Sequence, residues 1–319
     1  MKPIYDAWLI QIEITNACGK KCAYCTRAVP HFKNPYFAEM TFIESALQSL
    51  RGWKRGVGCM GGEPTLHPEF KKICSLYRNY FPKKQCGIFT SGGPLYEKYK
   101  NLINETFGTI HYHNHATPSY HQPIMVASEE IISDTALRNE LIRDCWLQRK
   151  WCPAISKKGC FFCEVAATFD LLFDGPGGYR MEPGWWKKKE AEFSDQVERY
   201  CRLCSVPIPL GSFPDTNPYD YVSPGNAERL LKAQSPLAAR NGLRIFNKTI
   251  TREKIRELRN SPLYRDPGHY GQRDKTNFFR KSPLILKIKT NNIKHEIVHC
   301  LKTGDLRGFF RTLKSGSLR

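Results

Sequence analysis

The sequence predicts an α/β protein: a partial (β/α)6-type parallel barrel followed by a cysteine-rich region and a basic C-terminal extension. Three observations predict it. Three short apolar runs, at residues 8–14, 56–60 and 86–90, are bounded by Gly, Asn or Pro, as buried parallel strands are, and a fourth run follows at 109–114. Helix-like segments lie between them, and strands that alternate with helices make a parallel sheet. Farther on, six cysteines crowd into residues 145–204, and the chain's basic surplus follows them.

Taken in order, the first run leads into a cysteine-containing loop. Thr41 and Glu44 then stand at capping-box spacing ahead of Ala46-Leu-Gln-Ser-Leu50, which predicts a helix capped by Thr41. Further helices are expected around residues 96–103 and over 135–143. Residues 154–165 read as a hairpin turning at 157–159, which places Cys160 and Cys163 three apart on one strand and on opposite faces. Pro and Gly punctuate 174–184 and 207–225, so these segments read as ordered loops. From about Asn226 the chain is basic and partly helical. The expected organisation is a core over 1–132, a cysteine-rich region over 133–225 and a basic region over 226–319.

With 41% hydrophobic and 25% charged residues in 319, the chain reads as soluble and large enough for a substantial core. No stretch approaches the roughly 20 apolar residues of a membrane span, and residues 1–15 lack the pattern of a signal peptide. A cytoplasmic location is expected. In that compartment 13 cysteines, an odd number, do not make a disulfide framework, and metal or cluster ligation is the leading explanation. The net charge is +19, and residues 251–319 carry 17 Lys and Arg against 6 Asp and Glu. Such a surplus favours a polyanionic partner, DNA above all, with Lys281, Lys287, Lys289, Arg311 and Lys314 as candidate contacts; a solvated tail is the plainer alternative.

Cys18, Cys22 and Cys25 put three thiolates on one loop directly after the first strand. Three thiolates can hold three irons of a cubane and leave the fourth open to a ligand. A structural zinc would want a fourth ligand close by, and in residues 26–58 only His31 stands near the loop. Gly61-Gly62-Glu63-Pro64 follows the second strand, and Thr90-Ser91-Gly92-Gly93 follows the third.

The C-x3-C-x2-C spacing after a first strand, the aromatic residue before its last cysteine and the GGEP segment together resemble the radical S-adenosylmethionine (SAM) superfamily. The resemblance spans residues 8–115. It implies a [4Fe-4S] cluster on Cys18, Cys22 and Cys25 whose open iron chelates the amino and carboxylate groups of SAM. An electron, from a donor such as flavodoxin or ferredoxin, then breaks a sulfur–carbon bond to give a 5′-deoxyadenosyl radical. Gly61, Gly62, Glu63 and Pro64 would lie along the methionine end of SAM, Thr90 and Ser91 at its ribose or carboxylate, and Tyr24 near the adenine. The two glycines would let backbone approach the ligand, and the Glu63 side chain or adjacent carbonyls would take the ammonium protons.

Cys145, Gly159, Cys163 and Cys201-Arg-Leu-Cys204 resemble the opening and a shortened close of the SPASM and Twitch extensions of that superfamily. These carry auxiliary [4Fe-4S] clusters, and here the later cysteines are too few for two. One is implied, on Cys145, Cys163, Cys201 and Cys204, with Cys152 and Cys160 in reserve; a four-thiolate zinc site is the alternative.

His111, His113 and His115 share a face by strand alternation, near the strand ends where ligands gather, with His121 close behind. His113, His115 and Glu164 are the catalytic candidates, as proton relay or substrate contacts, each weighed against an ordinary structural role. Trp185-Trp186 beside three lysines is a candidate stacking platform. The layout also resembles phage-encoded radical SAM proteins, some of which rearrange an amino acid attached to thymine in DNA hypermodification. That resemblance implies a radical isomerase acting on a nucleic-acid-linked substrate. The alternatives are a peptide maturase, although no leader-binding domain is evident before the first strand, and a non-catalytic iron-sulfur or zinc protein that binds nucleic acid.

Overall fold

Every residue of the first strand, β1 (Leu9–Thr15), is buried, and this strand sits in the middle of the main sheet. A computed structural model describes residues 1–113, 119–150 and 153–260. The chain runs from β1 through α1 (Met40–Ser49), β2 (Gly56–Gly61), α2 (Phe70–Tyr80), β3 (Cys86–Thr90), α3 (Tyr96–Thr106) and β4 (Thr109–Tyr112). Each successive strand pairs in parallel with the one before it. Ile10, Ile12 and Ile14 alternate along β1 and join a core with Ile43 and Leu47 of α1, Phe70, Ile73 and Tyr77 of α2, and Ile103 of α3. The intervening Gln11, Glu13 and Thr15 are also buried, and they belong to the site.

After β4 come β5 (Tyr120–His121), α4 (Ser128–Ile131), α5 (Thr135–Arg143) and α6 (Trp146–Lys150). Then β6 (Ala154–Ser156) pairs in parallel with the free side of β1, and β7 (Gly159–Phe161) pairs antiparallel with β6, giving the sheet order β4-β3-β2-β1-β6-β7. α7 (Glu164–Leu172), α8 (Ser194–Tyr200), β8 (Phe213–Pro214), β9 (Asp220–Val222), α9 (Pro224–Lys232), α10 (Pro236–Ala239), β10 (Leu243–Ile245) and α11 (Arg252–Asn260) complete the described chain. β5 pairs with β8 and β9 with β10 in two small sheets. Among the described residues no helix is long and apolar enough to cross a membrane.

The mostly parallel α/β sheet is the expected one, but several local readings are corrected. α1 is capped by Glu39, not Thr41. Ala38 donates its N–H to the Ile14 carbonyl at 2.8 Å, which ties the incoming chain to β1, so the helix begins directly after that anchor. Thr41 lies in the first turn, where its carbonyl accepts from Ser45 Oγ. α5 has the expected bounds, with the Asp134 side chain accepting the Leu137 N–H at 3.0 Å as its cap. Cys163 is not on a strand with Cys160. The chain leaves β7 at Phe161, and Cys163 is the N-cap of α7, so the two thiols part because a strand gives way to a helix.

The loop expected over 207–225 contains β8 and β9, and β4 ends at Tyr112. β6 and β7 complete the main sheet, and the described residues share one compact unit.

The end of β2 packs backbone to backbone on the end of β1. A Cβ on Gly61, whose φ is +154°, would stand 2.0 Å from the Thr15 carbonyl oxygen, and one on Gly62 would stand 2.3 Å from that of Ala17. Gly61→Ala should therefore destabilise the protein by roughly 3 kcal/mol or more, read as the urea midpoint of anaerobic protein. Gly19→Ala, where nothing lies within 4 Å of the added Cβ, should leave that midpoint unchanged.

Candidate radical SAM site

The ends of β1, β2 and β3 meet at one place. The Gly62 N–H donates to the Thr15 carbonyl at 2.8 Å and the Glu63 N–H to the Ala17 carbonyl at 2.7 Å, which clamps the GGEP segment to the start of the cysteine loop. The glycines thus admit the neighbouring strand. Glu63 is completely buried. Its Oε1 accepts from the hydroxyls of Thr65 and Thr90, both at 2.8 Å, and its Oε2 from the N–H and hydroxyl of Ser91, both at 2.8 Å. The carboxylate is saturated by the chain's own donors and ties β2 to β3.

The loop that follows β1 is held from outside. Tyr24 and Ala28 take positive φ values of 58° and 48°, a conformation that non-glycine residues adopt only when their surroundings impose it. Asp220 of β9 accepts the Tyr24 N–H at 2.8 Å, the Asp215 carbonyl accepts the Ala23 N–H at 2.8 Å, and a ring nitrogen of His121 meets the Ala23 carbonyl at 2.9 Å. His31 is buried with one ring nitrogen 2.9 Å from Asp220 and the other 2.8 Å from Ser235, which leaves it no free nitrogen for a metal. Tyr24 itself is 2% exposed, packed against Phe213 and Tyr221 with its hydroxyl near Asn217.

Cys18, Cys22 and Cys25 are each partly accessible. Burial pushes the thiols up, Cys18 to about 11 and Cys22 to about 12, and the neighbouring thiols push the same way. Without a metal they are neutral near pH 7, and loading iron releases their protons.

Residues 12–133 match the radical SAM superfamily. The chain carries a radical SAM domain. No curated protein matches it in sequence. Among solved structures, it is similar to BtrN in complex with AdoMet and 2-DOIA, with 16% identity over 61% of this chain and 87% of that one, at a TM-score of 0.42. It is also similar to selenomethionine BtrN in an open conformation, with 14% identity over 61% and 86% of the two chains, at a TM-score of 0.39.

The superfamily implies a [4Fe-4S] cluster and SAM, and the donor set of the radical SAM domain fits them: three thiols on one loop, within reach of one another's charge. Among the described residues no three His, Cys, Asp or Glu side chains converge on a single metal ion.

Beside the domain's cysteine loop lies a buried polar group that the motifs do not announce. Arg27 Nη2 stands 2.8 Å from Glu164 Oε2, and Nη1 stands 3.8 Å from Glu13 Oε2. Gln11 accepts from Arg27 and donates to Glu164 at 2.5 Å, while the Tyr36 hydroxyl donates to Glu13 at 2.9 Å. Burial pushes the carboxyls of Glu13 and Glu164 up, against the pull of Arg27. Glu164, expected as a catalytic candidate, is therefore committed to an interior ion pair. The available signal was polar residues at alternate positions of a strand too apolar to be half-exposed.

Cys145, Cys163, Cys201 and Cys204 line one small enclosed cavity with Phe162 and Val206. Burial pushes Cys201 and Cys204 well up, and the other thiols of the group add to it. Cys160 points elsewhere, with its sulfur 3.8 Å from the Arg180 carbonyl. His113 and His121 pair at 5.5 Å, and His113 Nε2 meets Ser119 Oγ at 2.5 Å. His111 instead stacks on Phe89 at 4.2 Å. Trp185 is buried and Trp186 packs edge-on against Trp53, so the tryptophan pair is part of the core packing and not a stacking platform. His115, Cys152, Lys281, Lys287, Lys289, Arg311 and Lys314 lie outside the described residues.

Glu63→Ala should weaken SAM binding while iron content is retained, because it removes the acceptor that fixes Thr90 and Ser91 and no iron ligand. Stability should fall by roughly 1–3 kcal/mol for each buried donor left unpaired. Equilibrium SAM binding and iron analysis on the same preparation check both parts.

Proposed function

We propose that this protein is a radical SAM enzyme that abstracts hydrogen from a substrate linked to nucleic acid, with a second [4Fe-4S] cluster on Cys145, Cys163, Cys201 and Cys204. The observation that carries the enzyme reading is the junction of three strand ends, where the cysteine loop, Gly61–Pro64 and Thr90–Ser91 are held together by Glu63 and the backbone of Thr15 and Ala17. A [4Fe-4S] cluster on Cys18, Cys22 and Cys25 supplies, when bound, the electron and the open coordination position for cleaving SAM. The chain's own residues fix the geometry around it. Glu63 orients Thr90 and Ser91, and Asp220 holds the loop backbone at Tyr24. An electron donor such as flavodoxin or ferredoxin completes the system.

The net charge of +19 supports a polyanionic substrate. The fullest reading is isomerisation of an amino-acid-modified thymine in phage DNA, carried out in the host cytoplasm. Such a reaction leaves the nucleoside mass unchanged. A peptide maturase is the second reading, and the four-cysteine cavity favours it, since SPASM and Twitch extensions usually serve peptide substrates.

Reduced enzyme incubated with SAM should release 5′-deoxyadenosine, and with its DNA substrate should give a mass-neutral change in the nucleoside digest. Product formation with a peptide and none with modified DNA would move the maturase to first place. Binding to DNA should weaken steeply as salt rises, by about 0.9 in log affinity per unit log salt for each phosphate contacted on duplex. No binding at low salt would remove nucleic acid from the reading.

Cys22→Ala should abolish SAM cleavage yet retain an iron-sulfur chromophore, with iron falling from about eight per chain in reconstituted wild type to about four. A wild type that holds only about four would refute the second cluster.

A further inference from the structure

We infer that the buried Arg27–Glu164 pair is an electrostatic link between the two cysteine centres, through which one change of charge shifts the reduction potentials of both clusters in the same direction. The inference rests on the second cluster proposed above.

The two residues belong to different centres. Arg27 follows Cys25 by two positions, and Glu164 directly follows Cys163. Their side chains meet at 2.8 Å, and Arg27 also donates to the Glu164 carbonyl at 3.5 Å. One turn farther along α7, Thr168 Oγ1 donates to the Thr26 carbonyl at 2.9 Å, a second bond between the same two segments. Gln11 bridges the pair from β1.

The side chains are 2% and 3% exposed, so water does not screen them. In such surroundings a unit charge acts much farther than at the surface, and cluster potentials respond to nearby charge and hydrogen bonding. Stability alone gives a weak reason for the arrangement, because a buried ion pair is often matched or exceeded by apolar residues of similar volume. Its position between the centres gives a stronger one. Reduction adds negative charge to a cluster, so a more positive interior favours it.

Glu164→Gln removes one negative charge while keeping the side chain's shape. It should move both midpoint potentials to more positive values. Arg27→Gln should move both to more negative values, and Arg27→Lys, which keeps the charge but loses the fork, should return both toward wild type. Each is read by anaerobic redox titration of the full-length reconstituted protein without SAM, followed by electron paramagnetic resonance. The two signals are assigned from variants that lack Cys18, Cys22 and Cys25, or Cys201 and Cys204.

Iron content separates the outcomes. With both clusters loaded in Glu164→Gln, a shift of one signal alone, or of neither, overturns the link and leaves the second cluster standing. A residue that merely anchors α7 would lower cluster occupancy without moving the potentials of the clusters that remain. About four irons and a single signal in wild type would refute the second cluster and the link together.

Discussion

The close contact between the ends of β1 and β2 governs the rest of this site. Two glycines allow the backbone of Gly61 and Gly62 to lie on that of Thr15 and Ala17, nearer than any side chain would permit. Because the contact is made by main-chain hydrogen bonds of 2.7–2.8 Å, it fixes direction as well as distance. The cysteine loop leaves β1 from this point, and Glu63 starts from it to reach Thr90 and Ser91 at the end of β3. Three strand ends are thereby made into one surface.

Beyond that contact, the loop is shaped by elements far along the chain. Tyr24 and Ala28 hold unfavourable backbone angles that their own sequence does not select. Asp220, through Tyr24 and His31, and the Asp215 main chain, through Ala23, supply the compensation. The polar face of β1 does the same on the other side, where Gln11 and Glu13 receive Arg27 from the loop. The cysteines thus sit on a segment whose conformation is dictated by partners on both flanks and not by local preference.

Much of this was legible in the sequence. The bounds of β3 and α5, and those of β2 to within one residue, follow from apolar runs and helical periodicity, because those patterns are local. The cysteine loop and GGEP segment were legible for the same reason. The roles of single side chains were harder to read. Glu63 carries five hydrogen-bond contacts to Thr65, Thr90 and Ser91, and nothing in GGEP says that its carboxylate is already occupied. Glu164 looked free beside Cys163 because its partners, Gln11 and Arg27, are more than a hundred residues away. The start of α1 was misplaced since the capping signal at Thr41 competes with a tertiary anchor at Ala38, and the anchor wins. The Asp220–His31–Ser235 contact has no sequence signature at all.

The long reach of these partners also sets an order of assembly. β1 and the cysteine loop are made first, but β6, which closes the sheet on the far side of β1, begins at residue 154. Asp220 lies 196 residues beyond Tyr24, and Ser235 lies 204 beyond His31. At synthesis rates of about 5–20 residues per second, the loop spends ten seconds or longer on the ribosome before its scaffold exists. Contacts so distant in sequence also slow the folding that follows release. During that interval Cys18, Cys22 and Cys25 are unprotected thiols on a segment without its final shape. The contacts that shape the loop are therefore complete only once Ser235 has been made.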